Sequence, residues 1–168
     1  MHIEVVPPDA TQAARQLAEV LLDSVDGGAS VGFLASLTAE AAEQWWSAQL
    51  ADPGATTLWA REGDRVLGTV TLRPSALDNA GHRAEVGKLL VLQAARGRGV
   101  ATALMHRLEQ LAAGQGRWLL LLDTETDSPA ERLYRQLGWE VVGIVPDHAA
   151  GPGGALAPTT FLRKALAR

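Results

Sequence analysis

Cysteine is absent from all 168 residues. That excludes disulfides, cysteine-ligated zinc and any route through a thiol acyl-enzyme. Basic blocks are missing as well. The formal net charge is -4, and no Lys/Arg run stands out, which speaks against nucleic acid as a partner. Long hydrophobic runs are also lacking. The apolar stretch 118–122 is far too short to cross a bilayer, so no membrane partner is expected. The opening residues MHIEVVPPDA carry neither the charged nor the apolar region of a signal peptide, and a cytoplasmic location is the expectation. His2, His82, His106 and His148 are scattered without metal-ligand spacing, so no metal is expected.

What is present suits one packed unit. Hydrophobic residues make up 47% and charged residues 20%, enough apolar material for a single core over residues 1–168. The pattern along the chain predicts a strand at 2–6 stopped by Pro7 and Pro8. A helix follows from Asp9, which can cap it, with Ala10, Ala14, Leu17, Leu21 and Val25 on one stripe. A second helix spans 38–51. Strands at 56–61 and 65–73 flank Glu62, Gly63 and Asp64 as a hairpin, and 74–81 reads as loop. Then come a strand at 83–92, an amphipathic helix from Val100 to about Ala113 and a uniformly apolar strand at 118–122, read as covered on both faces. A helix at 130–137 opens at Pro129, and strands at 139–145 and 159–162 close the chain. Between these last two lies a loose stretch, 149–154. The order β-α-α-β-β-β-α-β-α-β-β is that of a mixed α/β domain.

The most informative unit joins a strand to a helix through Arg96, Gly97, Arg98, Gly99, Val100 and Ala101. A helix N-terminus offers unpaired N–H groups and a partial positive charge. Glycines allow close approach to the backbone, and two arginines add charge, so the turn reads as a diphosphate cradle. The plainer alternative is a tight turn with solvent-facing arginines. A Walker loop is excluded because the Lys-Ser/Thr ending is missing. The dinucleotide fingerprint is excluded by the glycine spacing.

Arg96, Gly99 and Ala101 match the Arg/Gln-x-x-Gly-x-Gly/Ala turn of the GNAT (GCN5-related) N-acetyltransferases. Asp127, Ala130, Tyr134, Gly138 and Trp139 match that family's second motif about thirty residues on. The chain therefore resembles this family. The resemblance implies the GNAT acyl-CoA N-acyltransferase fold: a mostly antiparallel twisted central sheet flanked by helices, with splayed central strands. It implies acetyl-CoA as cosubstrate, with the pyrophosphate on the N–H groups from Arg96 to Ala101. The pantetheine amides would lie along Leu90, Val91 and Leu92. Asp127 and Ala130 fall on the cofactor side, and Asp127 stands where many relatives carry asparagine. Tyr134 would direct its hydroxyl at the coenzyme sulfur. Read without the family, Tyr134 is a helix residue packing beside Leu133 and Leu137.

Acetyl transfer to an amine needs a group to take the ammonium proton, donors for the developing oxyanion and a proton for the thiolate. Glu85, on the strand before the turn, and Asp123, at the end of the apolar strand, are the candidates near the amine. The alternatives are an ordinary exposed strand residue and a turn residue. Trp45 and Trp46 read as core or interface anchors. A further resemblance, to a toxin-acetylating branch of the family, is carried by the stretches 27–33, 83–86, 88–89, 95–99 and 122–125. It puts Gly28, Ser30 and Phe33 beside the acceptor, and makes Glu85 and Asp123 its acid/base pair. Asp26 stands where that branch is expected to have histidine, and the 149–157 loop differs in sequence.

The resulting expectation is transfer of acetyl to the primary amine of a small amino-acid-like acceptor, by direct attack in a ternary complex, as in toxin or antibiotic detoxification. Acetylation of peptides or proteins, and a non-catalytic acyl-CoA-binding sensor, are the alternatives. A homodimer is compatible with the sequence.

Overall fold

The computed structural model describes residues 1–7 and 12–167. Among them the strands and α-helices follow the expected order: β1 (His2–Val5), α1 (Ala13–Asp26), α2 (Ala39–Ala51), β2 (Thr56–Glu62), β3 (Arg65–Pro74), β4 (Arg83–Val91), α3 (Val100–Gly114), β5 (Leu119–Glu125), α4 (Pro129–Gln136), β6 (Glu140–Ala150) and β7 (Leu156–Ala165). Local chemistry sets several boundaries. Thr38 caps α2 by accepting from the Ala41 amide at 3.2 Å. Ser128 caps α4 the same way through Glu131 at 3.1 Å, with Pro129 in the first turn. The expected Asp9 cap and Ala10 lie outside the described residues, and Gln12, just before α1, makes no side-chain cap bond.

One seven-stranded sheet runs in the order β1-β2-β3-β4-β5-β7-β6. Every residue of β3 from Val66 to Leu72 is buried. Successive strand residues point to opposite faces, so both faces are covered here, and α1 and α3 both pack on β3. Leu17, Leu21, Trp46, Leu58, Leu72, Leu104 and Leu108 are among the large side chains fully enclosed in this core.

All neighbouring strands are antiparallel except β4 and β5. These two run parallel and pair only at Arg83–Leu119, Ala84–Leu120 and Glu85–Leu121. Beyond that rung they separate. The cause is visible on the other edge of β4, where Thr69 and Thr71 of β3 pair with Leu90 and Gly87. β4 spends one residue more than β3 over this interval, and Lys88, with φ 53°, sits in the resulting bulge. A bulge bends its strand and increases its twist, so β4 turns away from β5 just past Glu85. The expected splay is present.

Two expectations are corrected. Residues 118–122 are not covered on both faces. Leu120 and Leu122 are buried but Leu119 and Leu121 are only half-buried, so the face of the strand that carries Leu119 and Leu121 is left partly open. The 149–154 stretch is not loose throughout. Ala149 and Ala150 pair with Ala157 and Leu156 in a long β6–β7 hairpin. Only its tip, closed by the Gly151 amide on the Ala155 carbonyl at 2.9 Å, is a turn.

Candidate active site

The turn ahead of α3 is built on two left-handed glycines, Gly97 (φ 76°) and Gly99 (φ 77°). The first backbone hydrogen bond of the helix is from the Ala103 amide to the Gly99 carbonyl, 3.0 Å. The amides of Val100, Ala101 and Thr102 precede it and have no backbone acceptor among the described residues. A Cβ added to Gly97 or Gly99 would meet nothing within 4 Å. The mouth of the turn is therefore open, and its donors fit a diphosphate. The arginine side chains are partly engaged elsewhere. Arg98 donates to both oxygens of Glu62 at 2.9 and 3.1 Å, holding that carboxyl below its usual range. Arg96 reaches the Val91 carbonyl at 3.4 Å.

The free edge of β4 differs in detail from expectation. The Leu92 amide donates to the Leu67 carbonyl at 2.9 Å and its carbonyl accepts from Ala95 at 2.8 Å. The Leu90 carbonyl also faces β3, lying 2.6 Å from where a Cβ on Gly68 would sit. Backbone groups alternate sides along a strand. Of residues 90–92, Val91 is thus the one turned toward the open side, joined there by Leu89.

At the start of α4, Asp127 has φ 61°. Its amide donates to Glu131 Oε2 at 2.6 Å and its carbonyl accepts from Arg132 at 2.8 Å. Only its exposed carboxylate remains free, without the N–H an asparagine would offer. Burial pushes the Glu131 carboxyl up, but the Asp127 amide and Arg135 outweigh it and hold the group low. Ala130, in the first turn of α4, is half-buried. Tyr134 is buried on the next turn, its ring 5.9 Å from that of Trp139. Its hydroxyl makes no hydrogen bond to any of the described residues. Burial, and then the charge of Asp123, push its pKa well above that of an ordinary phenol. Both effects favour the protonated phenol.

Where β4 and β5 part, a cleft of about 550 Å³ opens, and both Glu85 and Asp123 line it. Glu85 is opposite Leu121 on the last shared rung, and Asp123 lies two residues further along β5, inside the strand rather than at its end. Sequence reasoning did not anticipate other lining residues. Arg73 is held by Asp52, and donates to Gln49 at 2.7 Å. The Gly54 amide and then Arg73 keep the Asp52 carboxyl low. Trp45 lines the cleft as well, a correction to its reading as a core anchor. Its neighbour Trp46 is the one fully enclosed. Lys88 completes the wall, with Nζ donating to the Val31 carbonyl at 3.0 Å. A lone lysine in the apolar run Val86 to Val91 was the available signal for it.

The loop after α1 contributes unevenly. Phe33 packs edge-on against Trp45 at 5.3 Å and lies 5.6 Å from Lys88 Nζ. None of Gly28, Ser30 and Phe33 is among the residues lining the cleft, and Phe33 reaches it only through Trp45 and Lys88. Gly28 instead closes the end of α1 through its amide to the Val25 carbonyl, 2.9 Å. The Ala35 amide donates to the Pro152 carbonyl at 2.9 Å, joining this loop to the β6–β7 tip.

A sheet parted at one parallel seam, with a phosphate-sized cradle at the helix beyond it, is the layout of an acyl-CoA-dependent transferase. The profile of the Acetyltransferase (GNAT) family matches residues 18–139, and the chain belongs to that family. It is an acetyl-CoA-dependent N-acetyltransferase. Solved structures share the fold at low identity. A ribosomal-protein-alanine N-acetyltransferase from Brucella melitensis is 21% identical with a TM-score of 0.80, over 99% of this chain and 100% of that one. A protein from Salmonella typhimurium solved with its cofactor acetyl-CoA is 21% identical with a TM-score of 0.79, over 100% and 95%. An aminoglycoside 6'-N-acetyltransferase complexed with coenzyme A is 17% identical with a TM-score of 0.79, over 100% and 98%. No helix among the described residues is long and apolar enough to cross a membrane.

Proposed function

We propose that the chain transfers acetyl to the primary amine of a small, amino-acid-like acceptor, with direct attack in a ternary complex. The observation that carries this reading is that Glu85 and Asp123 share one cleft at the parting of β4 and β5. Acetyl-CoA supplies an activated thioester. The amides from Arg98 to Ala101 hold its diphosphate, and the outward groups of Leu89 and Val91 align its amide arm. Glu85 and Asp123 attract the incoming ammonium and offer its proton a route out. Tyr134, protonated and with its hydroxyl unengaged by the described residues, gives a hydrogen bond or proton at the sulfur.

Relatives of this fold are named for acceptors as different as a ribosomal protein and an aminoglycoside. A small acceptor is favoured here because the loop carrying Ala35 is bonded to the β6–β7 tip at Pro152, which narrows the acceptor side against an extended peptide. Detoxification of an amine-bearing toxin or antibiotic fits such an acceptor.

The test is release of free thiol from acetyl-CoA across a panel of small amines, amino acids and peptides. Glu85→Gln and Asp123→Asn should each reduce acetylation while acetyl-CoA binding by calorimetry stays as in the parent. Faster turnover of peptides than of every small amine, or full activity in both variants, rejects the reading.

A further inference from the structure

We infer that the acceptor cleft contains an anion subsite at Lys88, so that the amine to be acetylated belongs to a molecule that also carries a carboxylate. The inference rests on the acetyl-transfer reading above and specifies its acceptor.

Four charged residues line the cleft: Arg73, Glu85, Lys88 and Asp123. Arg73 is already neutralised by Asp52 and further bonded to Gln49. Lys88 is not. Among the described residues no carboxylate lies within 4.0 Å of its ammonium. One of its three N–H groups is used, on the neutral Val31 carbonyl. Its charge otherwise faces the rings of Trp45 at 5.3 Å and Phe33 at 5.6 Å. Burial pushes its pKa down, more than Asp123 pushes it up. A half-buried ammonium in this position is desolvated without a counter-ion in contact. It has donors to spare and open cleft beside it.

Backbone and packing together fix where that charge stands. Lys88 sits in the bulge with φ 53°, a conformation that disfavours any side chain. The carbonyl it binds and the Phe33 ring beside it belong to the loop after α1, and Trp45 to α2, so its head is held from two directions. An acceptor with a carboxylate would place that group on Lys88 and its ammonium toward Glu85 and Asp123. A polycation would satisfy the two carboxylates but meet a fixed positive charge at Lys88. The cleft is therefore matched to a zwitterion of amino-acid type, unlike the acceptor named for the aminoglycoside-modifying relative.

The experiment compares matched acceptors in the thiol-release assay. Glycine, β-alanine, L-alanine, L-threonine and L-lysine are each tested against their carboxamides, with spermidine and an aminoglycoside as polycations. The parent should favour the best free acid over its carboxamide by at least about tenfold in kcat/KM, mostly through KM, the size of one charge-assisted contact. Lys88→Met should erase that preference while still binding acetyl-CoA, and Lys88→Arg should keep it. A lysine that merely tethers the Val31 loop would lower activity on acid and amide alike. Equal use of acid and amide by the parent overturns the subsite while leaving acetyl transfer intact. So does a preference for the polycations, and this outcome needs no variant to fold. Absence of turnover with every amine rejects the acetyl-transfer reading itself.

Discussion

The Asp123 carboxylate acts on the Tyr134 hydroxyl: its negative charge adds to burial in keeping the phenol protonated. One residue lines the cleft and the other sits on the helix after β5, so the two are coupled from different elements. Tyr134 is the only tyrosine in the chain, which makes the coupling directly observable.

In an alkaline titration, phenolate absorbance should not develop in the folded protein near pH ~10, where a free tyrosine ionises. The folded-state pKa is raised, so the native state binds more protons than the unfolded state above that pH. The stability Tyr134 contributes is thus complete below about pH 10 and is lost as pH climbs toward the folded value. Asp123→Asn should bring phenolate formation to lower pH. An unshifted titration in that variant would refute the coupling.

Tyr134→Phe should lower turnover by roughly ten- to ten-thousandfold, the range for losing a general acid. Because the hydroxyl bonds none of the described residues, the variant leaves no donor or acceptor among them orphaned. Its melting temperature and acetyl-CoA affinity should stay near those of the parent. Single-turnover kinetics is the measurement, and an unchanged acetyl-transfer rate rules the role out.

Gly99→Val should weaken acetyl-CoA binding strongly. The position has φ 77°, and a Cβ placed there would have no described protein atom within 4 Å. An added side chain would therefore crowd the cradle rather than the core. A left-handed β-branched residue should also cost about 1–2 kcal/mol of stability. Gly99→Ala carries most of the backbone penalty with a smaller side chain, so calorimetry on both separates the two effects. Affinity equal to the parent in the valine variant would mean the diphosphate lies elsewhere.

Gly68→Ala should destabilise the fold by about 1–3 kcal/mol, the overpacking range. The new methyl would stand 2.6 Å from the Leu90 carbonyl, 3.1 Å from Val91 and 3.3 Å from Leu104. The nearest of these is backbone of β4, so relief requires moving the very strand that presents Val91. Denaturant unfolding and acetyl-CoA affinity should fall together, and full stability in this variant would show that β4 yields more easily than its packing implies.

Much of this was legible in the residues. Gly97, Gly99 and the following helix are local, so a glycine-punctuated strand-to-helix step declares itself. The positions of Glu85 and Asp123 followed from which strands flank that helix. Three things were not local. Which of Leu90, Val91 and Leu92 faces outward depends on the β3 register and on the bulge at Lys88. The half-exposure of Leu121 depends on what covers its face of the strand, which an apolar run cannot reveal. Trp45 and Trp46 are adjacent and chemically identical, and only the packing of α2 decides that one is enclosed and the other lines the cleft. The places of Arg73 and Lys88 in the cleft escaped notice because a strand cation ordinarily reads as surface.

The three-rung join between β4 and β5 also has a mechanical consequence. Every other junction in the described sheet is a longer ladder, so a load applied across the strands would concentrate at Glu85 and Leu121. The sheet should then part into β1–β4 on one side and β5–β7 on the other, like cloth along a short line of stitching. A molecule wedged beyond the last stitch and gripping both flaps would raise the force needed to open it.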